Sequence, residues 1–188
     1  ILDVEGVDEV SLVGLSMGGM TAMRFALRHP ERVTSMSLLD SSADAETRVN
    51  RLKYKGLVAI YRRLGFTDLL AKQITPIMFA PQTPSTRPEL VRTLVTEMRK
   101  HDRPQLIRAI TAVNSRELLA GLESLRLPTR VLVGDHDAAT PPHRSEAIAR
   151  RIPGASLGRI AGAGHLSAME APEEVSAQLL DFLSEHAR

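Results

Sequence analysis

The sequence has no cysteine and no tryptophan, and aromatic residues make up only 3% of it. Without thiols there is no disulfide, no thiolate metal site and no cysteine nucleophile. Such a composition suits a reducing compartment, and a cytoplasmic location is the expectation. So few aromatic rings argue against a stacking platform for sugars or nucleobases. No apolar run approaches the ~20 residues of a membrane-spanning helix. Charge of one sign is missing too: 24 basic residues against 22 acidic leave +2. That balance gives no electrostatic case for nucleic acid or an anionic membrane as partner. The densest basic clusters, Arg48-Arg51-Lys53-Lys55 and Arg150-Arg151, read as solvated helix faces. The opening Ile1-Leu2-Asp3-Val4-Glu5 has neither the basic start nor the long apolar core of a signal peptide. It also lacks an initiating methionine and reads as the interior of a chain already under way.

What is present is an ordinary globular balance, 188 residues with 43% apolar, enough for one domain with a sizeable core. Residues 3–8 look like a helix end turning at Gly6. Apolar runs of strand length cover 9–15, 33–39, 129–133 and 155–160. Helical spacing covers 17–29, 142–151 and 172–186, the last with Pro172 in its first turn. Strand–helix–strand order at both ends is the unit of a parallel sheet. Between them the pattern changes. Residues 45–65, 67–79, 87–101, 104–114 and 116–125 each read as helix, with breaks at Gly65, Pro76, Pro81–Pro88 and Pro104. The expected division is therefore a core of 1–43 and 127–188 and a helical cap of 44–126 over the sheet's carboxyl edge. The fold class is α/β, a mostly parallel sheet with helices on both faces and an inserted all-helical cap.

One stretch carries chemistry. Gly14-Leu15-Ser16-Met17-Gly18 places a serine between two glycines, after an apolar strand and before an amphipathic helix. A serine hydroxyl is a poor nucleophile unless it is exposed, held and next to a base. A sharp strand-to-helix turn exposes it, and Gly14 and Gly18 are expected to remove the Cβ atoms that would collide there. The backbone N–H of Met17, at the helix start, faces the same point and can stabilise an oxyanion.

The base comes from six histidines. His29, His101 and His186 end helices, and His143 begins one. His165 lies in Gly162-Ala163-Gly164-His165-Leu166, a glycine-rich loop after the last strand that can carry an imidazole over the sheet edge. The acid candidates follow the third strand in Val133-Gly134-Asp135-His136-Asp137. Asp137 is the choice, Asp135 could instead cap the turn, and Asp40 at the end of 33–39 is second. Asp135, Asp137 and His143 also admit a metal reading, although their spacing is generic. The order Ser16, Asp137, His165 is that of one hydrolase fold and not of other serine hydrolases.

At this point the sequence resembles the α/β-hydrolase superfamily. "VGLSMGGMTAMRFALRHPERVTSMSLLDSS" looks like its nucleophile elbow, next helix and next strand. "PTRVLVGDHDAATPP" looks like its acid strand and loop, and "IAGAGHLSAMEAPEEVSAQLLDFL" like its histidine loop and last helix. The nearest flavour is the 3-oxoadipate enol-lactonase-like group of esterases, lactonases, C–C bond hydrolases and cofactor-free haloperoxidases. The resemblance implies Ser16 as nucleophile, His165 as base, Asp137 as its partner, no cofactor and no metal, and 44–126 as the cap that shapes the pocket. Leu57, Tyr61 and Leu70 of the cap, with Leu15, Ile60, Ile77, Met78, Phe79 and Leu166, are the expected pocket residues.

In that family four strands precede the elbow and supply a second oxyanion donor. Here the elbow begins eleven residues into the sequence, so the expected fold is a truncated α/β-hydrolase core. Strand 9–15 would then be an apolar edge that pairs with a second copy, giving a homodimer. The first functional expectation is a serine hydrolase acting on a small ester or lactone through an acyl-enzyme. The alternatives are a metal-dependent hydrolase with a repurposed site, separated by chelation, and a weakly active or inactive binding module, separated by labelling of Ser16.

Overall fold

The computed structural model describes residues 1–45, 47–113 and 118–186. Its centre is one sheet of four strands, β1 (Val10–Leu15), β2 (Val33–Leu39), β3 (Thr129–Gly134) and β4 (Ser156–Ile160), in the order β1-β2-β3-β4. Every neighbouring pair is parallel. Parallel strands need crossovers, and the crossovers bury both faces of the sheet. That burial explains the near-continuous apolar runs of β2 and β3 and the loss of strict alternation there.

Helix α1 (Leu2–Glu5) is one short turn closed by Gly6 at φ 66°. Helix α2 (Met17–Arg28) buries Met20, Met23 and Ala26 against Met36 and Leu38 of β2 and Val131 of β3. On the opposite face Leu39, Leu132 and Ile160 pack against Val175. Neighbouring residues of β2 and β3 thus serve different cores, as the period of two demands.

Among the described residues, six helices join β2 to β3. They are α3 (Arg48–Leu64), α4 (Asp68–Met78), α5 (Thr83–Thr86), α6 (Pro88–Lys100), α7 (Arg103–Val113) and α8 (Leu119–Leu122). Caps explain their limits. Thr47 and Thr67 accept the N–H of Asn50 and Leu70, and Gly65 ends α3 at φ 74°. Pro76 lies inside α4 instead of breaking it: it stands in the last turn, where α4 is about to end. Helix α5 was not expected, and α8 is far shorter than the expected 116–125. Residues 46 and 114–117, on which parts of three expected helices fall, lie outside the described residues. The chain closes with α9 (Pro142–Arg151), which buries Ile148 on the α2 face, then α10 (Ser167–Glu170) and α11 (Pro172–His186), which pack on the other. No described helix is long and apolar enough to cross a membrane.

Candidate active site

Ser16 joins β1 to α2 at φ 52° and ψ −113°, a backbone conformation that costs a side-chain-bearing residue about 1–3 kcal/mol. Its neighbours hold it there. The Ser16 N–H donates to the Leu39 carbonyl at 2.8 Å, and the Ser16 carbonyl accepts the Ser41 hydroxyl at 2.8 Å. A Cβ on Gly14 would stand 2.4 Å from the Gly18 carbonyl carbon, so glycine at 14 is a steric necessity. The expectation for Gly18 is corrected: a Cβ there would meet open space. The tight neighbour is Gly19, whose Cβ would lie 2.6 Å from the Ser41 hydroxyl. Met17 begins α2, so its N–H is one of the four that a helix leaves without an intrahelical partner.

The structure brings Ser16, His165 and Asp137 together. His165 Nε2 lies 2.8 Å from Ser16 Oγ, and its Nδ1 lies 3.0 Å from both Asp137 oxygens. With a carboxylate at Nδ1, that nitrogen carries the proton and donates, leaving Nε2 to accept the serine O–H. Asp137 is held as well. Its Oδ1 accepts the N–H groups of Ala139 and Thr140 at 2.9 and 2.8 Å, and its Oδ2 accepts the Thr140 hydroxyl at 2.8 Å. His165 and Asp137 are buried, 4% and 3% exposed.

Two glycines permit this meeting. A Cβ on Gly134 would stand 2.2 Å from the Gly164 carbonyl oxygen, and one on Gly164 would stand 2.5 Å from Ala80 N. At these two points the acid strand, the histidine loop and the chain after α4 meet backbone to backbone.

The other candidates separate. Asp135 turns outward to Arg159 at 3.3 Å. Among the described residues no three His, Cys, Asp or Glu side chains gather as a metal site, so Asp135, Asp137 and His143 do not converge. Asp40 is fully buried but does not bond His165. It accepts the Gly134 N–H at 2.8 Å and the Ser167 hydroxyl. Burial pushes its carboxyl up to about 6, against the two hydrogen bonds, with the Asp137 charge adding to the rise.

A cavity of about 270 Å³ opens over Ser16 and His165. Ile77 and Met78 line it, as do Leu57, Tyr61 and Leu70. Four expected pocket residues do not. Ile60 is 42% exposed on the outer side of α3, Phe79 is buried beneath Gly164, Leu15 packs into the core below the sheet, and Leu166 stands at the N-cap just before α10. Periodicity picks apolar residues but does not say which flank of a helix meets its neighbour.

Glu170 went unnoticed in the sequence. Its Oε1 accepts the Ala80 N–H at 2.9 Å and the Thr83 hydroxyl at 2.5 Å, and its Oε2 accepts the Gly164 N–H at 2.7 Å. One carboxylate thus clasps the α4–α5 turn to the loop that carries His165. A glutamate five residues after the histidine gives no local sign of partners about ninety residues away.

A profile of the α/β-hydrolase fold family matches residues 1–172. The chain belongs to that family. It is 27% identical over 192 residues to a 2-hydroxy-6-oxononadienedioate/2-hydroxy-6-oxononatrienedioate hydrolase of Paraburkholderia phymatum, matching 98% of this chain and 66% of that protein. It is 30% identical over 190 residues to the polyketide synthase ThaQ of Burkholderia thailandensis, matching all of this chain and 9% of that protein. Among solved structures, a thermophilic esterase of Thermogutta terrifontis superposes with a TM-score of 0.90 at 29% identity, over 98% of this chain and 68% of the esterase. This α/β-hydrolase chain thus spans 9% of the polyketide synthase and about two thirds of the other two.

Proposed function

We propose that residues 1–188 carry the reacting groups of a serine hydrolase that cleaves a small carboxylic ester or lactone. One observation carries the reading: the unbroken hydrogen-bond series from Ser16 through His165 to Asp137. Ser16 Oγ attacks the carbonyl carbon while His165 Nε2 takes its proton. The Met17 N–H, at the positive end of α2, faces the oxygen that becomes negative. The tetrahedral intermediate collapses, the C–O bond to the alcohol breaks, and His165 returns its proton to the leaving oxygen. Water, deprotonated by the same nitrogen, then attacks the acyl-enzyme and frees Ser16. Asp137 keeps Nδ1 protonated and stabilises the imidazolium. The helices of 44–126 serve as the cap that bounds the acyl space. Support from the comparisons is coarser: relatives and structural neighbours bear the names of hydrolases and esterases.

Hydrolysis of p-nitrophenyl butyrate by wild type and by Ser16→Ala tests the reading. Loss of activity in the variant, with no effect of chelator on wild type, is the expected result. The pairing of two copies through β1 has no support in the comparisons, where the relatives named above contain at least a third more chain.

A further inference from the structure

Resting on that reading, we propose that the cavity beside Ser16 takes an uncharged, apolar acyl group and rejects one that ends in a free carboxylate. The acyl part stays on Ser16 through both halves of the reaction, so the space next to Oγ is its space. Its walls come from both layers of the molecule. Met20 of α2 forms the floor, and Leu57, Leu70, Met98 and Leu106 of the helices between β2 and β3 form the sides.

The polar groups facing this space are few. Ser16, His165 and Thr140 stand at the reacting end. Tyr54 and Tyr61 stand among the helices, and Tyr61 is 4% exposed. No lysine or arginine lines the cavity among the described residues. A carboxylate carried into such a space leaves water and needs a cation or several donors in return. Two neutral phenol hydroxyls are too little. A ketone, an ether or a capped ester asks for no more than one donor, and a plain hydrocarbon asks for nothing.

Size sets the second limit. An apolar cavity of roughly 150 Å³ holds benzene, so about 270 Å³ suits a chain of roughly six to eight carbons. Each methylene entering the cavity should raise kcat/KM about fourfold until the space is full.

The test uses one leaving group and paired acyl chains. We expect kcat/KM to rise from p-nitrophenyl acetate through butyrate to hexanoate. At pH 8, p-nitrophenyl methyl adipate should exceed p-nitrophenyl hydrogen adipate by about 100-fold, the two differing by a methyl cap on a carboxylate. Equal rates for the adipate pair, or faster cleavage of the free acid, with Ser16→Ala inactive on both, would overturn the cavity assignment and leave the serine mechanism standing. No turnover of any ester that depends on Ser16 would overturn the mechanism and the cavity assignment with it.

Discussion

Asp40 occupies a position where burial and hydrogen bonding pull in opposite directions. It has no exposure, stands at φ 45° and joins Gly134 of β3 to Ser167 of α10. Its carboxyl is pushed from 3.8 up to about 6. A raised value means that the folded protein holds this proton more tightly than the unfolded chain. The resulting stabilisation is fully present below about 4 and is lost as pH rises through about 6. Its size is on the order of 3 kcal/mol. Asp40→Asn keeps an acceptor for the Gly134 N–H, turns an NH₂ toward Ser167 so that its hydroxyl accepts instead of donating, and cannot ionise. Its stability relative to wild type should therefore improve between pH 4 and pH 7 in urea unfolding. A difference that stays constant over that range would contradict the assignment.

At the scale of elements, the two crossover units and the histidine loop have to be brought to one edge, and the means differ in how visible they are. The strands β2 and β3 are plain in the sequence because both of their faces are buried. Ser16, Asp137 and His165 are legible because each sits in a glycine- or proline-marked turn after an apolar run. The supports of the site are not legible. Gly134 and Gly164 look like ordinary loop glycines until the backbones that press on them are placed, and Glu170 acts on residues far away in the chain. Ile60 shows the converse: in α3 five successive apolar or aromatic residues, Leu57 to Tyr61, leave the inward face undetermined.

Glu170 supplies the prediction at this scale, as a positioning residue. In Glu170→Gln, whichever way the amide turns, its NH₂ faces an N–H donor at Ala80 or Gly164. The variant should lose about 1–3 kcal/mol of stability. Movement of the histidine loop should lower kcat about tenfold or more while KM changes little, because the cavity walls stay in place. Steady-state kinetics on p-nitrophenyl butyrate check this. A rise in KM at unchanged kcat would place Glu170 in binding instead.

At the largest scale, the described strands of residues 1–188 form a sheet that ends at β1 on one side and β4 on the other. On β1, Val13 is 51% exposed, and the edge carries unpaired backbone groups beside an apolar side chain. Residues 1–188 on their own are expected to associate through it at micromolar concentration, and Val13→Lys should reduce the association. A monomeric mass for the unmodified chain by light scattering would contradict this.

The parts of the account meet at one oxygen atom. The strained turn, the imidazole 2.8 Å away and the apolar space above it have a joint purpose only if Ser16 Oγ is the nucleophile. The most direct measurement is mass spectrometry of the chain after reaction with an alkyl fluorophosphonate, in wild type, Ser16→Ala and His165→Ala. The account predicts one adduct, on Ser16, absent from Ser16→Ala and formed at least about 1,000-fold more slowly in His165→Ala. Labelling at another residue, or equal labelling without His165, would contradict it.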